Sequence, residues 1–156
     1  MKEFDYYIFI DYSEFLLGYG IIEKEKIMDL IPLITRFRHY KNVKNRKMYL
    51  KNINKTIKSK DIKSFFSKIK IKEIRLTPEI YVDIADFVSK HDNCAIFVSI
   101  DDNQYNNLKR LVNVVDGKNI LIKKESELKT GSVEYQTSLV IDNILNIERI
   151  KYEQNK

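Results

Sequence analysis

The run CAIFVSI at 94–100 is apolar at both odd and even positions. A strand of that kind is buried on both faces, and so belongs inside a sheet covered by helices on each side. The segments around it agree. KIKEIRL (70–76) alternates basic and apolar residues, as a strand with one buried face does. TPEIYVDIADFVSKH (77–91) reads as a helix capped by Thr77, with Pro78 at the first helical position and Glu79 and Asp83 in the early turns. DDNQYNNLKRLVNVV (101–115) reads as a helix marked at its start by Asp101 and Asp102. KNILIKK (118–124) reads as a strand, TGS (130–132) as a turn and VEYQTSLVIDNILNIERIKY (133–152) as the final helix. Strands alternating with helices imply an α/β sheet with helices on its faces.

The first half of the chain is different in kind. DYYIFID (5–11) and LLGYGIIEK (16–24) are β-branched and aromatic, and pair most simply as a hairpin. Residues 25–38 have helical apolar spacing, with Pro32 as a kink or boundary. Residues 39–60 are polar and basic and read as loop mixed with short elements; 61–69 read as a short amphipathic helix with Asp61 near its start. The expectation is one domain over 1–156 with a basic insert at about 36–70.

Charge is concentrated in that insert. Fifteen basic residues against two acidic ones between Arg36 and Arg75 leave +13, whereas the whole chain carries +6, so the remainder carries −7. Such asymmetry suits a polyanionic partner, with Arg36, Arg38, Lys41, Lys44, Arg46, Lys47 and Lys51 as the candidate nucleic-acid-binding residues. The plainer alternative is a solvated lysine-rich surface. Tyr6, Tyr7, Tyr40 and Tyr49 could stack on bases, although core packing accounts for them more simply. The reading allows a homodimer.

Other classes are disfavoured. No apolar run approaches the roughly 20 residues of a membrane helix, and MKEFDYY does not read as a signal peptide, so a cytoplasmic protein without a membrane partner is expected. The single Cys94 lies in an apolar run and reads as an inert core thiol. His39 and His91 stand far apart without a cysteine set, which argues against structural zinc. Ser13 and Ser99 have no histidine at a suggestive spacing for nucleophilic catalysis. No phosphate-cradling glycine loop is present.

What stands out is acidic residues at the ends of apolar elements: Asp11, Glu79, Asp101, Asp102 and Asp142. Carboxylate oxygens are the ligands that Mg²⁺ and Mn²⁺ prefer, and two such ions can hold the attacking and leaving oxygens of a phosphodiester displacement. Each aspartate alone is equally at home in a turn or helix cap.

IFIDYSEFLLGYGII (8–22) resembles the opening of ribonuclease H-like domains, where a strand ends in an aspartate and a hairpin returns through G-Y-G. IFVSIDDNQYNNL is similar to that family's later strand running into D-S-Q-Y and a helix, and SLVIDNIL to its last helix. The pieces fall in the family's order over 5–24 and 70–148. The insert makes the chain more similar to the uncharacterised prokaryotic ribonuclease H-like domains that open with F-I-D-E-S-G. The resemblance implies a ribonuclease H-like mixed sheet and a Mg²⁺- or Mn²⁺-dependent nuclease. Asp11, Glu79 (or Asp83), Asp101, Asp102 and Asp142 would be its catalytic carboxylates, with metal held by Asp11, Asp101, Asp102 and Asp142. The chain departs from the family at Tyr12, and in having ESELKTGSVEYQ where a glycine–histidine loop is usual. A helical wheel on 137–150 puts Asp142 nearly opposite Val140, Ile144 and Ile147, which predicts a solvent-facing aspartate. A non-catalytic adapter of the same fold, binding nucleic acid or protein, is the alternative; an unrelated α/β module that binds a small ligand or a partner is a third.

Overall fold

A computed structural model describes residues 4–99, 101–113 and 119–155, apart from the side chain of Asn113. β1 (Tyr6–Ser13) and β2 (Leu16–Glu23) form the expected hairpin, with Glu14 at its turn in the left-handed region at φ 54°. α1 (Lys24–Leu30) follows and gives way to a 3₁₀ turn at Ile31–Leu33, where Pro32 sits. Its missing amide hydrogen prevents the α-helix from continuing, so the helix is shorter than the spacing over 25–38 predicts.

The next segment corrects the sequence reading. Residues 39–60 hold a regular helix, α2 (Arg46–Ser59), capped by Asn45, whose side chain accepts from the Met48 amide at 3.3 Å. Leu50, Ile53 and Ile57 recur every three or four residues and are buried, but basic and amide residues between them dilute the signal. The expected helix at 61–69 is only a 3₁₀ turn at Ile62–Phe65, because β3 (Lys68–Glu73) already begins there. A further 3₁₀ turn at Ile74–Leu76 leads into α3 (Thr77–Lys90). Leu76 rather than Thr77 occupies the cap, and the Thr77 hydroxyl instead donates back to the Ile74 carbonyl.

β4 (Cys94–Val98) is buried at every position, as its composition requires. α4 (Asp102–Asn113), β5 (Ile120–Lys124) and α5 (Val133–Gln154) complete the chain. The predicted end of the β4 run at Ile100, the last residues of the predicted α4 at 114–115 and the predicted start of β5 at Lys118 lie outside the described residues.

The sheet order is β3-β2-β1-β4-β5. The first three strands are antiparallel neighbours, and β4 and β5 run parallel to β1. Ile8, Ile10, Tyr19 and Ile96 face α3 and α4, while Phe9, Ala95 and Phe97 face α5. Behind α5 lies a third layer, because Leu50, Ile53 and Ile57 of α2 join the same core as Leu139, Ile144 and Ile147. α5 is therefore covered on both sides, and every residue from Thr137 to Ile147 is buried. Its close approach to the hairpin depends on two glycines. A Cβ on Gly20 would stand 2.4 Å from Ile141 Cδ1, and one on Gly18 would stand 3.1 Å from Leu145 Cδ2. The G-Y-G of the sequence is the floor on which the last helix rests.

Candidate active site

Alternation along β1 fixes the first site residue. Phe9, Asp11 and Ser13 point to the α5 side of the sheet, and Asp11 lies across from Gly18 in β2. Asp11 is buried; its Oδ1 accepts the Tyr12 amide at 2.8 Å, and its Oδ2 has no hydrogen-bond partner. Burial raises its pKa well above the ordinary carboxylate value, and the charges of Glu125 and Asp142 raise it further. The Tyr12 amide and the Ser99 hydroxyl act in the opposite direction.

Asp142 is buried, contrary to the helical wheel. The wheel allows one apolar neighbour, the sheet, whereas the insert covers the opposite side of α5. Residues 34–40 lie along that side and are held by amide side chains. Gln136 Nε2 donates to the Ile34 and Phe37 carbonyls at 2.7 and 3.1 Å, and Asn143 Nδ2 donates to the Arg38 carbonyl at 3.0 Å. The Tyr40 amide then donates to Asp142 Oδ2 at 2.8 Å, and His39 Nε2 stands 3.8 Å from Asp142 Oδ1. Burial raises the Asp142 pKa, against the lowering effects of His39 and the Tyr40 amide.

The third carboxylate is Glu125, just after β5. His39 Nε2 lies 4.0 Å from its Oε1, and the Ser138 hydroxyl donates to the same oxygen at 3.4 Å. Burial raises its pKa too, with a Ser99 hydrogen bond and His39 pulling the other way. Glu125 and His39 are site residues that the sequence reading missed. Glu125 had a signal: like Asp11, it sits at the carboxyl end of one of the parallel strands, where open α/β sheets build their sites. His39 had none, since only the docking of the insert brings it to α5.

The other predicted carboxylates do not join this cluster. Glu79 is largely exposed and pairs with Lys72 at 3.4 Å. Asp101 caps α4, its Oδ1 accepting the Gln104 amide at 2.8 Å, and Asp102 is exposed and pairs with Lys124. Asp83 pairs with Lys70 at 2.6 Å, and that contact holds its carboxyl below the usual range. Helix capping accounts for Asp101, and ion pairs with lysines account for Glu79, Asp83 and Asp102. The seven candidate nucleic-acid-binding residues, Arg36, Arg38, Lys41, Lys44, Arg46, Lys47 and Lys51, are exposed, and none has an ion-pair partner among the described residues.

Asp11, Glu125 and Asp142 are hard oxygen donors. Burial, the repulsion that Asp142 exerts on Asp11 and Glu125, and the unpartnered Asp11 Oδ2 are the features that a divalent cation would relieve, so the donor chemistry fits Mg²⁺ or Mn²⁺. As packed, however, no group of three or more His, Cys, Asp or Glu among the described residues is arranged to hold an ion. A groove of about 650 Å³ beside α1, floored by Tyr7, Phe97 and Leu121, contains none of the three carboxylates.

Sheet order, mixed parallel and antiparallel pairing and flanking helices define an α/β protein whose fold matches that of ribonuclease H-like structures. The chain is similar to a solved structure of that class, the ribonuclease in the PCNA:RNase HII complex from Archaeoglobus fulgidus. The TM-score is 0.53 at 10% identity, over 96% of this chain and 75% of that one. No family model matches the sequence, and no curated protein does. Identity this low carries the fold alone. Among the described residues, no helix is long and apolar enough to cross a membrane.

Proposed function

We propose that the chain hydrolyses phosphodiester bonds in nucleic acid, with Mg²⁺ or Mn²⁺ held by Asp11, Glu125 and Asp142. This reading keeps Asp11 and Asp142 from the sequence and puts Glu125 in place of Glu79, Asp101 and Asp102. Kinship with the prokaryotic ribonuclease H-like domains that open with F-I-D-E-S-G accords with such an activity. The observation that carries it is Asp11 Oδ2, a buried carboxylate oxygen without a hydrogen-bond partner beside the buried Asp142 and the half-buried Glu125. When bound, the metal would supply a Lewis acid and a water activated near neutral pH. The chain's own contribution is positioning. The Tyr40 amide fixes Asp142, the Tyr12 amide fixes Asp11, and His39 Nε2 stands where it can hold a proton beside Glu125 and Asp142. Residues 39 and 40 lie against the cluster through the His39 ring and the Tyr40 amide.

A second reading, a non-catalytic adapter of the same fold, is favoured by one observation: no three donors converge as packed, and Asp142 is already engaged by the Tyr40 amide. Calorimetric titration with Mn²⁺ separates the two. Under the catalytic reading the protein binds Mn²⁺ at millimolar or lower concentration and cleaves single-stranded RNA, DNA or a hybrid, and Asp11→Asn abolishes both. Absence of Asp11-dependent binding selects the adapter. Cleavage that survives Asp11→Asn refutes the site.

A further inference from the structure

α2 contains no acidic residue, and its exposed side carries Lys47, Lys51, Lys55 and Lys58. At 3.6 residues per turn these four fall within an arc of roughly 80°, one per turn, about 4.5–6 Å apart along the axis. They form a row on a different face from Leu50, Ile53 and Ile57, which anchor the helix to the core. None of the four has an ion-pair partner among the described residues. In α3 and α5, by contrast, the helical cations are paired locally: Lys90 with Asp86, Lys151 with Glu148 and Arg149 with Glu153. Like charges three and four residues apart destabilise a helix, so an uncompensated row is a burden on folding that nothing in the fold requires.

The row also has a direction. At the amino end of α2, the Arg46 guanidinium lies 4.9 Å from the centre of the Tyr40 ring, and Arg149 lies 5.7 Å from it. Tyr40 is the residue whose amide holds Asp142. Positive charge therefore runs from the edge of the carboxylate cluster along the outside of α2.

We propose that this face of α2 is a track for one sugar-phosphate strand, held through phosphates without base readout, which leads the nucleic acid to or from the carboxylates. A single straight row of cations matches one backbone rather than the two of a duplex. The proposal rests on the reading of the chain as acting on nucleic acid, but its test needs neither metal nor cleavage.

The test is fluorescence anisotropy in EDTA over a salt series, with a labelled single strand of mixed sequence, the corresponding duplex and anionic vesicles. The wild type is compared with the quadruple variant K47Q/K51Q/K55Q/K58Q. All four side chains are exposed and repel one another, so the variant melts at or above the wild-type temperature, which is measured alongside. The expected result is preferential binding of the single strand, with a log–log salt slope about 3 shallower in the variant and affinity roughly 100-fold lower near 0.1 M salt. An unchanged slope and affinity means a solvated lysine surface and overturns the proposal. Preference for duplex overturns the single-strand assignment. Vesicle binding that the four lysines control, without oligonucleotide binding, replaces nucleic acid with a membrane surface and likewise overturns it. Failure of the Mn²⁺ titration leaves each of these outcomes readable.

Discussion

Asp11 is destabilising where it stands. Its folded-state pKa is raised, by burial first and then by Glu125 and Asp142, so the folded protein holds this proton more tightly than the unfolded chain does. Stability from such a group is present at low pH and declines as pH rises toward the folded-state pKa. Asp11→Asn is nearly isosteric and removes the charge. In EDTA it should melt above the wild type, with a gap that opens as pH rises above the ordinary carboxylate value and is complete once the folded-state pKa is passed. The gain should be about 1–3 kcal/mol, or roughly 2–10 °C for a chain this long. Added Mn²⁺ should reverse the order, by stabilising the wild type and not the variant. Thermal melts across a pH series, with and without Mn²⁺, check both statements; a gap that shrinks with rising pH contradicts the assignment of a raised pKa. At this scale the sequence marked Asp11 and Asp142 as candidates, but not which carboxylates meet, and it passed over Glu125 and His39. Asp11 could be picked out because a carboxylate ending an apolar strand is conspicuous. Asp101 and Asp102 looked equally conspicuous, and capping and ion pairing absorb them.

At the scale of elements, contact between α5 and the hairpin decides whether there is a site at all. Gly18 and Gly20 let the helix lie flat on β2, which brings Asp142 over Asp11. Gly20→Ala would push against Ile141 Cδ1 at 2.4 Å and Phe66 Cδ2 at 3.0 Å. The expected loss is about 1–3 kcal/mol, the usual effect of overpacking. Ile141→Val removes the clashing methyl, and in the double variant it should restore part of the loss. A double-mutant cycle by denaturant unfolding measures this coupling, and strict additivity would show that the two residues do not meet. The strands, α3 and α5 were legible because their periods are clean and their starts carry Pro78 or Ser132. α2 was not. Three apolar residues among lysines and asparagines leave a weak period, and its stability comes from packing on α5 rather than from its own propensity.

In the molecule as a whole, the insert is a third layer and not merely a charged flap. It covers the outer side of α5, buries Asp142 and delivers His39 and the Tyr40 amide to the carboxylates. Ile53 is the test, since it is buried on the α2 side of this layer. Ile53→Ala should cost about 2–5 kcal/mol through lost burial and a cavity. It should also raise hydrogen exchange at the Tyr40 amide more than in β4, because the layer loosens before the sheet does. Equal changes in both places would mean that the insert and sheet unfold as one unit.

The sequence alone determined the α/β class, the hairpin, the alternating second half, the basic bias of the insert and the candidacy of Asp11. Each of these is written in local periodicity, turn chemistry or charge count, which neighbours along the chain can express. Only the tertiary structure decided that α5 is covered on both sides, that Asp142 is therefore inside, and that Glu125 and His39 complete the cluster. Those facts depend on which surfaces meet across roughly a hundred residues of intervening chain, as between Tyr40 and Asp142. A helical wheel that assumes one apolar neighbour cannot register the second.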